Sequence, residues 1–222
     1  MPTAEQLLKE LKHVLYESPY DGYWTDSMLL GYMAEGQDRF CEDTGYFVDP
    51  NEYTITTVID QQSYAFSSRV IRVMNVYDTG RPLIRYEEKS KDAWQNPELL
   101  EYQAELQRLQ GFQTDFAPGY VTLWPIPKDV RTLTMRVWRY AKKSLCNDGI
   151  KTVVEIPEQF ARAIVEYAAY KAYSHHDQEL QDVLKAADHL AAYQYYADLG
   201  EASFRRLRGS EVSVDPSPVY VV

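Results

Sequence analysis

The chain has 222 residues, 45% of them hydrophobic and 14% aromatic, enough apolar surface for one large domain or two small ones. A net charge of −10 argues against a general nucleic-acid binder, which would carry a basic footprint. No run of 18 apolar residues exists, so no membrane span is expected.

The N-terminus "MPTAEQLLKELKHVLYE" has neither an apolar signal core nor a cleavage site, so secretion by that route is not expected. Residues 3–17 read as a helix. Thr3 and Gln6 form a capping box, and Leu7, Leu8, Leu11, Val14 and Leu15 make the apolar stripe. "ESPYDG" is turn chemistry. A second helix starts near Thr25 or Asp26, carries Met28, Leu29, Tyr32, Met33 and Phe40 at helical spacing, and ends at Gly45. Gly31 and Gly36 weaken it, and their expected use is close approach by another backbone.

From about residue 52 the period changes to two. "EYTITTVID", "QSYAFSS" and "RVIRVMNVYDTG" read as strands separated by turn residues, and "RPLIRYEE" as a continuation of the sheet. Residues 91–110 return to helical character, with Asn96 as cap and Pro97 at the first position. "GYVTLWPIP" and "RTLTMRVWRYAKK" alternate again, and "PKDV" reads as the connection of a hairpin between them. The last third is helical. Pro157 opens one helix with Phe160, Ala161, Ile164, Val165, Ala168, Ala169 and Ala172 on one face. "SHHD" breaks it. The next helix runs to about Arg206, with Leu180, Val183, Leu184, Ala187, Leu190 and Ala191 as its stripe, Gly200 as a weak point and Gly209 as a stop signal.

The expected fold class is therefore α+β. N-terminal helices and a C-terminal helical hairpin form one helical bundle, an antiparallel β-rich region is inserted, and an extended C-terminal arm follows. As domains, residues 1–206 form a single unit, helical over 1–45 and 157–206 with the β-rich insertion at about 52–143, and 207–222 form the arm.

Catalytic signatures are scarce. His175, His176 and Asp177 are the best metal candidate, but adjacent histidines on a helix diverge and no third ligand stands at fixed spacing, so a solvated helix break is the better reading. Neither Cys41 nor Cys146 belongs to a C-x-x-C pair; reduced structural thiols are expected. No cofactor is expected. Arg205, Arg206 and Arg208 either complement a helix C-terminus or contact an acidic partner. "NVYDTGRP" reads first as a hairpin turn and second as an inter-subunit loop through Asp78 and Arg81.

Several segments taken in order resemble the phage head–tail adaptor proteins, also called connector or head completion proteins. They are "WTDSMLLGYMAEGQDRFCEDTG", "YTITTVIDQQSYAFSSRVIRVMNVY" with its "QQSYAFS" core, "GYVTLWPIPKDVRTLTMRVWRYAKKS" and "IPEQFARAIVEYAAYKAY". The resemblance implies a non-enzymatic structural virion protein, made in the host cytoplasm and placed in the neck between portal and tail. It implies a homo-oligomeric ring, commonly dodecameric, that binds portal protein and tail or nozzle proteins and lets genomic DNA pass without sequence-specific contact. Alternatives are another neck or tail ring component such as a tail terminator, and a phage-encoded hydrolase.

In that setting "SVDPSPVYVV" is expected to be a portal-docking arm, the alternative being that it folds back onto its own subunit or a neighbouring one. Pro216 and Pro218 hold the chain extended, and Val219, Tyr220, Val221 and Val222 add a strand to a partner's sheet or fill its pockets.

Overall fold

The computed structural model describes residues 1–15, 23–86, 108–114, 117–146, 149–174 and 182–210. The fold is α+β, with four helices and two largely antiparallel sheets among the described residues. The chain divides into two compact units. The first joins Met1–Tyr46 to Ala141–Val222, and the second is Phe47–Tyr140.

The first unit holds α1 (Ala4–Leu15), α2 (Asp26–Thr44), α3 (Glu158–Tyr173) and α4 (Val183–Ser210). Their ends follow local chemistry. Gln6 N donates to Thr3 Oγ1 at 3.3 Å, and Thr3 N donates to Gln6 Oε1 at 2.8 Å, the reciprocal pair of a capping box. Met28 N donates to Thr25 Oγ1 at 3.3 Å, which starts α2. Gly45, at φ 62°, closes α2 by donating to Cys41 O at 3.1 Å. α3 is the hub on which α1, α2 and α4 all pack. Its buried Ala161, Ala168, Ala169 and Ala172 keep it slim enough to be surrounded.

Three helical expectations change. Val183, Leu184, Ala187 and Ala191 face solvent, and α4 instead buries Ala186, Tyr193, Ala197 and Gly200. Gly200 is a contact point rather than a weak one, since a Cβ there would lie 2.8 Å from Phe40 Cζ. Gly36 does allow close approach, 3.3 Å from a Cβ position to Ile164 O, but nothing lies within 4 Å of one at Gly31.

Among its described residues the second unit holds eight strands: β1 (Val48–Thr56), β2 (Ser63–Ala65), β3 (Val70–Asp78), β4 (Arg81–Pro82), β5 (Ile84–Arg85), β6 (Gly111–Gln113), β7 (Tyr120–Trp124) and β8 (Thr132–Arg139). One sheet has the order β1-β8-β3-β4 and the other β2-β7-β6-β5. β1 begins earlier than the alternation suggests. Its register shifts between Asp49 and Tyr53, where Pro50 cannot donate to the ladder. β3 and β4 form a tight hairpin with Thr79 at φ 48° and Gly80 at φ 84°, the paired positive angles of a two-residue turn. Leu133, Met135 and Val137 on β8 point inward as their spacing predicts. They share one core with Val73, Val76, Phe112, Val121 and Leu123 from both sheets.

Two pairings depart from expectation. β7 and β8 do not form a hairpin: β7 lies between β2 and β6, while β8 lies between β1 and β3. The chain changes sheets through "PIPKDV", whose two prolines lack the N–H groups that a ladder needs. The β5–β6 pair is parallel, so the region is not wholly antiparallel. A parallel pair needs a long crossover, and residues 86–110 supply the length. The helix expected over 91–110 lies mostly outside the described residues, and residues 108–110 are not helical.

Candidate functional site

In the second unit, the loop after β1 and the loop between β7 and β8 are tied into one platform. Thr57 N donates to Arg131 O at 2.8 Å, Thr57 Oγ1 donates to Asp129 O at 2.9 Å, and Asp60 N donates to Pro127 O at 2.9 Å. The Tyr64 hydroxyl donates to Gln61 O at 2.6 Å and accepts from Val58 N at 3.0 Å. Lys128 pairs with Asp60 at 2.5 Å. Over this frame Val58, Ile59, Ile126 and Val130 stand exposed. Apolar side chains on a stiff, internally paired base lose little entropy when covered, which suits a protein contact.

Arg131 anchors the same region. Its Nη1 donates to Asp78 Oδ2 at 2.6 Å, and it also pairs with Asp129. The hydrogen bond from Arg131 holds the Asp129 carboxyl below its ordinary range, and the bond to Asp129 raises Arg131 in turn. Of the two turn residues singled out in the sequence, Asp78 is thus buried against Arg131, while Arg81 is exposed at the turn. Beside β3 lies a groove of about 400 Å³ lined by Phe66, Ser67, Val70, Ile71, Arg72 and Gly119.

The first unit carries a polar network that periodicity alone does not reveal. Glu166 on α3 is buried; its Oε2 meets His189 Nδ1 of α4 at 2.6 Å and its Oε1 accepts from Arg162 Nε at 2.6 Å. Arg162 also pairs with Glu10 of α1, and the His189 ring stacks on Tyr173 at 5.5 Å. Burial pushes Glu166 upward, but the bonds from His189 and Arg162 outweigh it and leave the carboxyl below its ordinary value. Both carboxylate oxygens are engaged, so the group ties helices together. The one signal in the sequence was an acidic residue inside the alanine-rich face "IVEYAAY".

Two tyrosines, Tyr193 buried and Tyr167 half-buried, do similar work. Tyr193 donates to Asp43 Oδ2 at 2.7 Å, joining α4 to α2, and burial followed by that bond raises its hydroxyl far above normal. Tyr167 donates to Glu35 at 3.0 Å and is raised to about 12, chiefly by burial.

At the end of α4, Arg205 and Arg206 are exposed, and Arg205 Nη2 donates to Glu201 Oε1 at 2.6 Å. The Arg208 side chain lies outside the described residues. So do the arm residues Pro216, Pro218, Val219, Tyr220, Val221 and Val222, and His175, His176 and Asp177. Cys41 is buried and Cys146 exposed, both in the reduced form. Among the described residues no group of three His, Cys, Asp or Glu side chains could hold a metal ion, and no helix is long and apolar enough to cross a membrane.

The geometry offers contact surfaces, built platforms and helix ties. No curated protein matches this chain. The family model described as SU10 adaptor protein matches residues 2–219. That match spans nearly the whole chain, including the ordered segments that resemble phage adaptors, and the chain belongs to the SU10 adaptor protein family of phage head–tail adaptors.

Proposed function

We propose that this chain is a structural, non-enzymatic subunit of the phage neck that assembles as a homo-oligomeric ring, dodecameric by family expectation, beneath the portal protein. The ring offers a platform to tail or nozzle proteins and a lumen for genomic DNA. The observation that carries the proposal is the family match over residues 2–219. The chain's charge of −10 suits a conduit, because an acidic wall repels phosphates rather than trapping them.

Within this reading residues 213–222 are the portal-docking arm, and Arg205, Arg206 and Arg208 contact an acidic partner. The turn at Asp78 and Arg81 is an inter-subunit element. Burying Val219, Tyr220, Val221 and Val222 contributes roughly 6–10 kcal/mol. Ordering ten residues costs about 1–2 kcal/mol each, less where proline has already fixed the backbone. A single arm is therefore marginal, and a ring of arms gains through effective concentration.

The test is the mass of the chain alone and mixed with its cognate portal. A ring of defined stoichiometry on the portal is expected. A chain that never associates with the portal refutes the function, and unchanged portal binding after deletion of residues 213–222 refutes the arm alone.

A further inference from the structure

α4 is apolar on two opposite faces. Ala186, Tyr193, Ala197 and Gly200 are buried within the first unit. Leu184 (79% exposed), Tyr195 (62%) and Leu199 (42%) point the other way, together with exposed Ala191 and Ala202 and half-buried Ala192. At 3.6 residues per turn these outward positions fall along one stripe. A surface helix ordinarily shows a polar face there, so the stripe calls for a second cover.

Its charges indicate which cover. Asp188 and Arg206 are exposed, and neither has a partner among the described residues. They stand about five helical turns apart and therefore share the azimuth of the stripe.

We infer that the outer stripe of α4 seats the same stripe of a second copy of this chain, antiparallel. Turned end for end, the stripe is its own complement. Asp188 of each copy lies opposite Arg206 of the other, Tyr195 opposite Leu199, and Ala192 opposite Ala202. The alanines let the helices approach, and the aromatic and aliphatic pairs fill the centre. Leu184 lies along the Arg206 stem. A parallel arrangement would set Asp188 against Asp188 and Arg206 against Arg206. The contact is isologous and closes at two copies. It is thus an association of the free subunit, distinct from the ring, and its failure would leave the adaptor reading untouched. Each copy offers on the order of 500 Å² of side-chain surface, below the ~800 Å² per partner of a standard interface, so the pair dissociates on dilution.

Sedimentation of the full chain without portal, over a range of concentrations, tests this. A monomer–dimer equilibrium is expected. Tyr195→Asp and Leu199→Asp each weaken it by about tenfold or more, with helical circular dichroism unchanged because both side chains are exposed. Asp188→Arg and Arg206→Asp each weaken it, and the combined swap restores it. A chain that stays monomeric at every concentration overturns the inference, as does a dimer indifferent to these substitutions or a double swap without rescue.

Discussion

Replacing Gly200 with alanine sets two opposing effects against each other at one position of α4. Alanine is favoured over glycine inside a helix by about 1 kcal/mol. The added Cβ, however, would lie 2.8 Å from Phe40 Cζ and 3.1 Å from Thr44 Cγ2. Carbon atoms settle at about 3.5–4.0 Å, so the ring must retreat by most of an ångström. Phe40 is fully buried and packs on Phe160 with centroids 5.9 Å apart, which leaves little room. Overpacking of this kind costs about 1–3 kcal/mol. The clash wins, and Gly200→Ala should destabilise the first unit by about 1 kcal/mol. Gly31→Ala is the internal control: with nothing within 4 Å of its Cβ, it gains propensity alone and should stabilise by about 1 kcal/mol. Urea unfolding followed by helical circular dichroism reads the first unit, which holds all four described helices. Phe40→Leu in the Gly200→Ala background should show a favourable coupling of about 1 kcal/mol in a double-mutant cycle. Equal stabilisation by both glycine substitutions, or the absence of coupling, would refute the packing argument.

Gly111→Ala should unfold or severely destabilise the second unit, by about 3 kcal/mol or more, since its Cβ would meet Tyr86 Cε2 at 1.9 Å and Ile84 O at 2.7 Å; a normal thermal transition would contradict this. Arg131→Ala leaves buried Asp78 without its cation and should cost about 3 kcal/mol. Adding Asp78→Ala should recover part of that loss, and a strictly additive double mutant would show that the pair is not coupled. Glu166 sits below its ordinary 4.5 in the folded protein, so its ionised form stabilises the first unit. That contribution is full above 4.5 and disappears as pH falls through the lower folded value. Glu166→Gln should therefore flatten the acid limb of stability against pH, and an unchanged limb would remove Glu166 from the account.

Local chemistry was legible wherever it acts over a few residues. The Thr3–Gln6 box, the Thr25 cap, the Gly45 stop and the "DTG" turn each depend on neighbours in sequence, and each stands where its residues predict. Face assignment on α4 was not, because a helix apolar on two sides gives periodicity no means to choose between them; Tyr193 and Ala197 won the interior over Leu184 and Ala191. Strand pairing beyond the nearest neighbour was equally hidden. Alternation marks β7 and β8 as strands but carries no information on which sheet each joins. The Glu166–His189 tie joins α3 to α4 by a single pair of polar residues, and no spacing rule anticipates it.

The first unit is closed by chain that arrives late in synthesis. Between Tyr46 and Ala141 a ribosome spends on the order of 5–20 s, during which α1 and α2 have emerged without α3 to cover them. The second unit is contiguous and can fold once β8 has emerged, before α3 follows it. Arg139 N donates to Phe47 O at 3.0 Å, so the finished second unit releases the chain beside the point where it took it in. Once folded, it behaves as a short tether between Tyr46 and Ala141. The meeting of Gly36 with Ile164, remote in sequence, then carries the closure entropy of a small loop.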